Sequence, residues 1–446
     1  MDITLLAWTR TQFMGTLGFL AFFLSISVGL AWMLLFFKWR AGRGGNVSWL
    51  AAYRFWVRIF ALSLVLVMGA GLALLFQMGG LWAGLMERIG NVAGPLLGYA
   101  VISVFIFKSC FLGVMLFGQR RVSESMHTFA VAMVAVGQCV ALFWLLVLQG
   151  WLENPRGARL FEGRFQVYDW AAIILNDSLW WRVGTLACAA ALAAVFLIMG
   201  VTAGQALRRK LEEGERLAFR SALVVAAIAS LLQFAFTVAA YRSIVEHQPA
   251  RAAAIAGHWE TGAVPDLVLM AWPDANEQAN RGTWRIRGAG DFMLARDQKG
   301  EIMALDRFSG MRPPVAATFL TWRATILLGI LMAVAAWAVV LRTRRRMFDP
   351  AVLSRRSLRL LSGAMCMGAL ASVLRVSGDF LGLAPYMVQN AVTQMEVLGV
   401  MPRESLVMAT LGYGVLYAML GAAFFVMLFH AARYGVVPVR RVGRKP

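Results

Sequence analysis

Charge is scarce in this 446-residue chain: 15% of its residues are Asp, Glu, Lys or Arg, where a soluble globular protein carries about 25%. Acidic residues are the scarcest, 23 against 43 Lys and Arg, which leaves a formal net charge of +20. There are four cysteines and four histidines. Cys110, Cys139, Cys188 and Cys366 lie inside apolar runs without CxxC spacing, which excludes a disulfide framework and a zinc site and leaves small buried hydrophobes. No histidine falls in the middle of an apolar run: His127 and His430 are at run ends, and His247 and His258 lie in a polar stretch. An edge histidine of this kind reads as a hydrogen-bonded structural residue, and the residues alone indicate no metal site.

What the chain has in abundance is apolar residues, 60% of the total, too many for a soluble enzyme and enough for a polytopic membrane protein. Stretches of about twenty apolar residues predict nine membrane helices near 13–37, 53–77, 92–118, 127–149, 180–206, 218–241, 317–341, 357–381 and 406–432. The first run is too long for the core of a signal peptide and ends without a small-residue cleavage site, so it reads as a spanning helix.

The fold class expected is therefore all-α. Basic residues gather in four short connections, around Lys38–Arg43, Arg120–Arg121, Arg208–Arg216 and Arg342–Arg356, and in a tail with Arg433, Arg440, Arg441, Arg444 and Lys445. All lie on one side of a nine-helix plan, which predicts an external N-terminus and a cytoplasmic C-terminus. The basic excess is thus a topological signal and calls for no nucleic acid.

The chain divides into helices one to six (1–241), an external segment (242–316), and helices seven to nine with the tail (317–446). Within the external segment, 283–287 and 291–295 read as strands, and Asp297-Gln298-Lys299-Gly300 supplies turn chemistry before 301–306. About seventy residues is close to the floor for a self-sufficient core, so no independent domain is expected there. Residues 150–179 read as a loop with surface-lying pieces.

Charges inside the predicted spans stand out against this background. Lys108 lies about ten residues, roughly 15 Å, from the end of its helix, too far to snorkel easily. It should face the protein interior and meet a partner, for which Asp379 is the candidate. Arg375 and Asp379, four residues apart, are placed to pair along one helix face. Arg58 and Arg323 complete the set. These residues read either as a proton or ion route or, more plainly, as a buried ion-pair network that fixes helix packing. Glu153 and Glu260, each close to a Trp, are candidate acidic groups at the outer ends.

Read in order, these features resemble subunit I of the cytochrome bd quinol oxidases over nearly the whole chain. The resemblance rests on Arg10-x-Gln12-Phe13, Phe55-Trp56 with Arg58, Phe76-Gln77-x-Gly79-x-x-Trp82, Gly94-Pro95-Leu96, His127, Gly150-Trp151-x-x-Asn154-Pro155, Trp259-Glu260-Thr261 and Arg323. It implies haem b and haem d, a quinol substrate, a second oxidase subunit as partner, lipid around the spans and the bacterial inner membrane as location. It also implies ligand positions. Axial histidines of the first and fifth helices match Leu20 and Gly184, the methionine of the seventh matches Thr325, and the glutamate of the eighth falls near Val376. Two acidic residues of the third helix match Tyr99 and Lys108. In the quinol loop a lysine matches Arg251 and a glutamate matches Ala256, while Trp259 and Glu260 are kept.

The scaffold is thus retained with its ligand types replaced. The expectation is a haem-free partner of a haem-bearing relative, with the oxygen-reducing site held elsewhere. Two alternatives stay open: an active quinol:oxygen oxidoreductase subunit using other ligands such as Met or Tyr99, and a channel or transporter with Lys108, Arg375 and Asp379 along its path. The small-residue stretch from Ala187 to Ala194 is expected to serve close contact with the partner.

Overall fold

The computed structural model describes residues 3–44 and 47–434; the tail residues Arg440, Arg441, Arg444 and Lys445 lie outside the described residues. Nine helices among these are long and apolar enough to cross a membrane. They are α1 (Ile3–Gly44), α2 (Val47–Gly80), α3 (Ala83–Phe117), α4 (Glu124–Glu153), α6 (Leu179–Ala206) entered through the short α5 (Trp170–Ile174), α7 (Glu213–His247), α9 (Val315–Thr343), α10 (Arg355–Gly363) continued by α11 (Met367–Leu383), and α12 (Arg403–Tyr434). Several run past their apolar stretch, with polar caps carrying the backbone into the turns. Ser123 accepts from the Met126 amide at 3.3 Å, Ser354 from the Ser357 amide at 3.2 Å, and Glu215 reaches back to the Glu212 amide at 2.9 Å. Consecutive spans alternate in direction, so the arginine-rich turns share one face of the bundle and the longer connections share the other.

The eighth span departs from the single helix expected. A 3-10 turn over Ala364–Cys366 separates α10 from α11, following Gly363, at the level where Met365 packs against Gly200 of α6.

The centre of the bundle is α6, buried continuously from Leu192 to Met199, with α1 and α11 against it. Its alanines let the neighbouring backbones come close. A Cβ on Gly29 of α1 would stand 2.1 Å from the Ala190 carbonyl oxygen, and one on Gly368 of α11 would stand 2.6 Å from Ala193 backbone atoms. Ala190, Ala193 and Ala194 of the expected contact stretch thus meet helices of the same chain, while Ala187 is exposed.

On the face opposite the arginine-rich turns, β1 (Ala158–Phe161) and β2 (Arg164–Val167) form a hairpin, and β5 (Tyr386–Val388) pairs with β6 (Val392–Thr393). The latter ribbon caps the start of α1, where Arg10 donates to Gln394 at 2.6 Å. Residues 150–179 are thus more ordered than a loop.

In the 242–316 segment the expected hairpin is displaced by one strand. The observed pair is β3 (Leu267–Asp274) with β4 (Ala279–Ile286), and Asp291–Met293 is a 3-10 turn. Pro273, near the end of β3, masked this strand in the sequence. The turn predicted at Asp297–Gly300 does form: Gly300 has φ +81°, its amide donates to Asp297 at 3.0 Å, and Arg296 bridges Ile302. The segment's apolar cluster, with Ile255, Trp259, Met293 and Leu305 buried, is continuous with Tyr241 and Ile244 of α7 and Val315 and Trp322 of α9. Its core is borrowed from the bundle.

Gly368→Ala forces α11 off α6, since the obstructing atoms are backbone; overpacking of this kind costs about 1–3 kcal/mol and is read as a lowered thermal midpoint of the purified protein. An unchanged midpoint would contradict the contact. In the 242–316 segment, burial holds the His258 imidazole below the usual histidine value, against the pull of Asp306, Asp266 and Glu260. A depressed histidine pKa makes the folded segment most stable above the unfolded value of about 6.5 and less stable as pH falls below it. Amide protection of residues 257–308, corrected for intrinsic exchange, is therefore expected to be lower at pH 5.5 than at pH 7.5, and His258→Asn is expected to remove the difference.

Candidate functional site

The densest polar arrangement lies where the end of α4 meets the start of α6, the end of α11 and the short helix α8 (Pro249–Ala256). Glu153, Arg251 and Asp379 are all buried there, 3%, 2% and 8% exposed. Asp379 accepts from Arg251 Nη2 at 2.5 Å and from Arg375 Nε at 3.2 Å. Glu153 pairs with Arg182 of α6, accepts from Gln248 at 2.8 Å and lies 3.4 Å from Arg251 Nη1. Arg251 also donates to Gln248 Oε1 at 3.1 Å. Three guanidiniums and two carboxylates thus form one connected cluster with a formal excess of one positive charge.

Its geometry is enforced locally. The Arg251 stem lies across Gly382, where a Cβ would stand 2.4 Å from Arg251 Nε, so only glycine admits the side chain there. Arg375 also lies over the Trp322 ring at 5.7 Å. The cavity among these groups, bordered by Asn154, Ser178 and His247, holds about 10 Å³, space for about one water.

The site residues expected from the sequence are not all brought together. Arg251, Arg375 and Asp379 meet, and Glu153 joins them. Lys108 does not reach Asp379, whose carboxylate is taken by arginines; this corrects the expected pairing. Lys108 is half-buried and makes no ion pair among the described residues, and neither does the exposed Arg58. Arg323 also stays outside the cluster. It lies over Phe319 at 4.4 Å and donates to the Val268 and Leu269 carbonyls at 2.7 and 3.2 Å, at a bulge in β3 that frees those acceptors. Trp259 donates its indole N–H to Asn280 at 3.0 Å and Asn280 donates to the Gly257 carbonyl at 2.7 Å, so the tryptophan clips the hairpin to α8. Glu260 is exposed beside it.

Arg182 and Gln248 were missed by the sequence reading. The available signal was an arginine one turn inside an apolar helix, on the same side of the membrane plan as Glu153.

At the positions matched by resemblance to haem ligands, Leu20 packs on the main apolar core. Gly184 faces Phe236, whose ring a Cβ would meet at 2.5 Å. The Thr325 hydroxyl donates to the Thr321 carbonyl at 2.8 Å, and Val376, next to Arg375 in sequence, is half-buried. Tyr99 is 52% exposed and leans on Trp144 at 4.9 Å. Ala256 ends α8, buried. His127 is buried edge-on to Tyr53.

Comparison with known proteins agrees over the whole chain. The family model for cytochrome bd terminal oxidase subunit I matches residues 8–436. Subunit 1 of the cytochrome bd ubiquinol oxidase of Bacillus subtilis is 24% identical over 442 residues, covering 96% of this chain and 94% of the relative. Subunit 1 of the cytochrome bd-II ubiquinol oxidase of Escherichia coli is 23% identical over 281 residues, 62% of this chain and 55% of that one. The solved bd oxidase of Geobacillus thermodenitrificans superposes with a TM-score of 0.87 at 18% identity, over 97% of this chain and 99% of the other, which establishes the shared fold. This multi-pass membrane protein therefore belongs to the cytochrome bd terminal oxidase subunit I family.

Proposed function

We propose that the chain is a haem-free subunit of a bd-type quinol oxidase complex in a bacterial inner membrane, a partner to a haem-bearing relative that holds the oxygen-reducing site. Its N-terminus faces outward and its arginine-rich turns face the cytoplasm, following the positive-inside rule. The observation that carries this reading is the position of the buried charge cluster. Arg182 stands two residues before Gly184, and Arg375 is next to Val376. Thr321, which holds the Thr325 hydroxyl, abuts Gly378 beside Asp379. Three of the four matched ligand positions thus lie within a helical turn of residues that belong to the cluster or pack beside it.

These residues do not fit a haem. Leucine, glycine and valine have no lone pair for iron, the threonine hydroxyl is spent on its own helix, and Phe236 takes the space beside Gly184. The quinol-loop candidates are committed in the same way: Arg251 to Asp379 and Glu153, and Trp259 to the hairpin. What remains is a scaffold held by charge, and no electron-transfer step is assigned to it.

Lys108 supports the partner role. It sits on α3 among Tyr99, Ile102, Phe105 and Ile106, all at least half exposed, with no counter-ion among the described residues. An intramembrane lysine left facing lipid costs a few kcal/mol, and a carboxylate on a neighbouring subunit removes that cost.

Reduced-minus-oxidised spectra of the purified full chain are expected to lack stoichiometric haem bands; stoichiometric haem would overturn the reading. Affinity purification from native membranes is expected to recover a second bd-type subunit, and a stable lone homo-oligomer would count against the partner role. Lys108→Met is expected to weaken that association while leaving the chain's own thermal midpoint within error. Asp379→Asn strands Arg375 without a counter-charge and leaves Arg251 with Glu153 alone, at 3.4 Å; it is expected to cost about 3–5 kcal/mol, measured by chemical or thermal unfolding. A neutral outcome there would show that the cluster does not hold the helices.

A further inference from the structure

A long cleft separates α1 and α4 from α6 and α7. Its volume is about 1180 Å³. Along most of its length it is lined by apolar side chains such as Val28, Val140, Leu186 and Val224. Its floor is the close contact of Gly29 with Ala190, and Trp32, 46% exposed, stands at its side. The stretch from Val28 to Arg40 alone is about 18 Å long at about 1.5 Å per residue, comparable to one leaflet of a bilayer whose core is about 30 Å thick.

The end of the cleft near the arginine-rich turns differs from the rest. Arg40 and Arg220 are the charged residues of the lining, and no described carboxylate lines it. Neither arginine has an ion-pair partner among the described residues, although several neighbouring basic residues do: Lys38 pairs with Glu124, Arg209 with Glu215, and Arg216 with Asp349. Arg220 Nε is buried and has no hydrogen-bond acceptor. A buried donor without an acceptor is costly and signals a missing partner. Arg40 lies over the Trp49 ring at 5.5 Å, which orients its guanidinium at the mouth while leaving its N–H groups available. Ser221 adds a hydroxyl beside them.

We infer that this cleft is a binding site for an anionic diacyl phospholipid, with the acyl chains along the apolar lining and the phosphate held by Arg40 and Arg220. The chemistry matches at both ends: an apolar trough about a leaflet deep, and two uncompensated guanidiniums at headgroup level. Guanidinium favours phosphate through paired N–H donors, and basic pockets between membrane helices select anionic headgroups. A neutral isoprenoid quinone would use the trough but leave both arginines unpaired, and a zwitterionic lipid would bring its own cation to them. The inference concerns a face of the bundle distinct from the buried charge cluster and does not depend on whether the chain binds haem.

The test uses the purified full-length wild-type protein, delipidated in detergent and titrated with phosphatidylglycerol or phosphatidylcholine, with bound lipid read by native mass spectrometry. Saturable binding of one or a few phosphatidylglycerol molecules, preferred over phosphatidylcholine, is expected. In Arg40→Gln/Arg220→Gln that preference is expected to fall by about 30-fold, while Arg40→Lys/Arg220→Lys retains most of it. Ala187→Trp, which fills the trough and leaves the arginines in place, is expected to reduce binding of both lipids. Equal binding of the two lipids by the wild type would overturn the assignment. So would a preference unchanged by the double glutamine variant, or stoichiometric quinone recovered from the cleft of protein purified from native membranes. The wild-type comparison stands even if a variant does not fold.

Discussion

Two carboxylates hold three arginines in the buried polar end of this bundle, and the elements around that end are tied through them. Glu153 closes α4, Arg182 opens α6, Arg251 belongs to α8, and Arg375 and Asp379 belong to α11. Charges removed from water are tolerated only when geometry and further hydrogen bonds compensate them. Gln248 supplies such bonds, and the glycine at 382 supplies the space. The segment 242–316 depends on the same arrangement, since α8 is the platform on which Trp259 and the hairpin rest.

A different interaction holds the remainder of the bundle. Through the middle and the arginine-rich half it is a packing problem, solved by bringing α1 and α11 onto the alanines of α6. The ion pairs there lie at the turns, where Lys38 reaches Glu124 and Arg216 reaches Asp349. The molecule thus combines an ionic joint at one end with a small-residue joint at its centre, and α6 takes part in both.

The nine spans were readable because a bilayer imposes a strong, local and nearly one-dimensional constraint: about twenty apolar residues in a row. The family was readable because its motifs keep their order. Pairing was less so. Asp379 with Arg375 is a four-residue spacing on one helix, visible in sequence, but the contribution of Arg251 comes from 128 residues away, across a segment whose path no pattern describes. Lys108 was paired with the wrong residue for a related reason: hydropathy gives depth in the membrane but not which way a helix turns. The strand at Leu267–Asp274 was hidden by its proline. The small residues of α6 were recognised as a contact surface, but composition does not say whether the neighbour belongs to the same chain.

The contact between Gly184 and Phe236 has an evolutionary consequence. Introducing a histidine at 184 would place its Cβ 2.5 Å from that ring, and Arg182 nearby is already committed to Glu153. Any side chain at 184 has to displace that half-buried ring, so a substitution there is tied to a second position. A smaller residue at 236 would open the space first. Packing of this kind works as a ratchet: each step that consolidates the altered scaffold lengthens the path back.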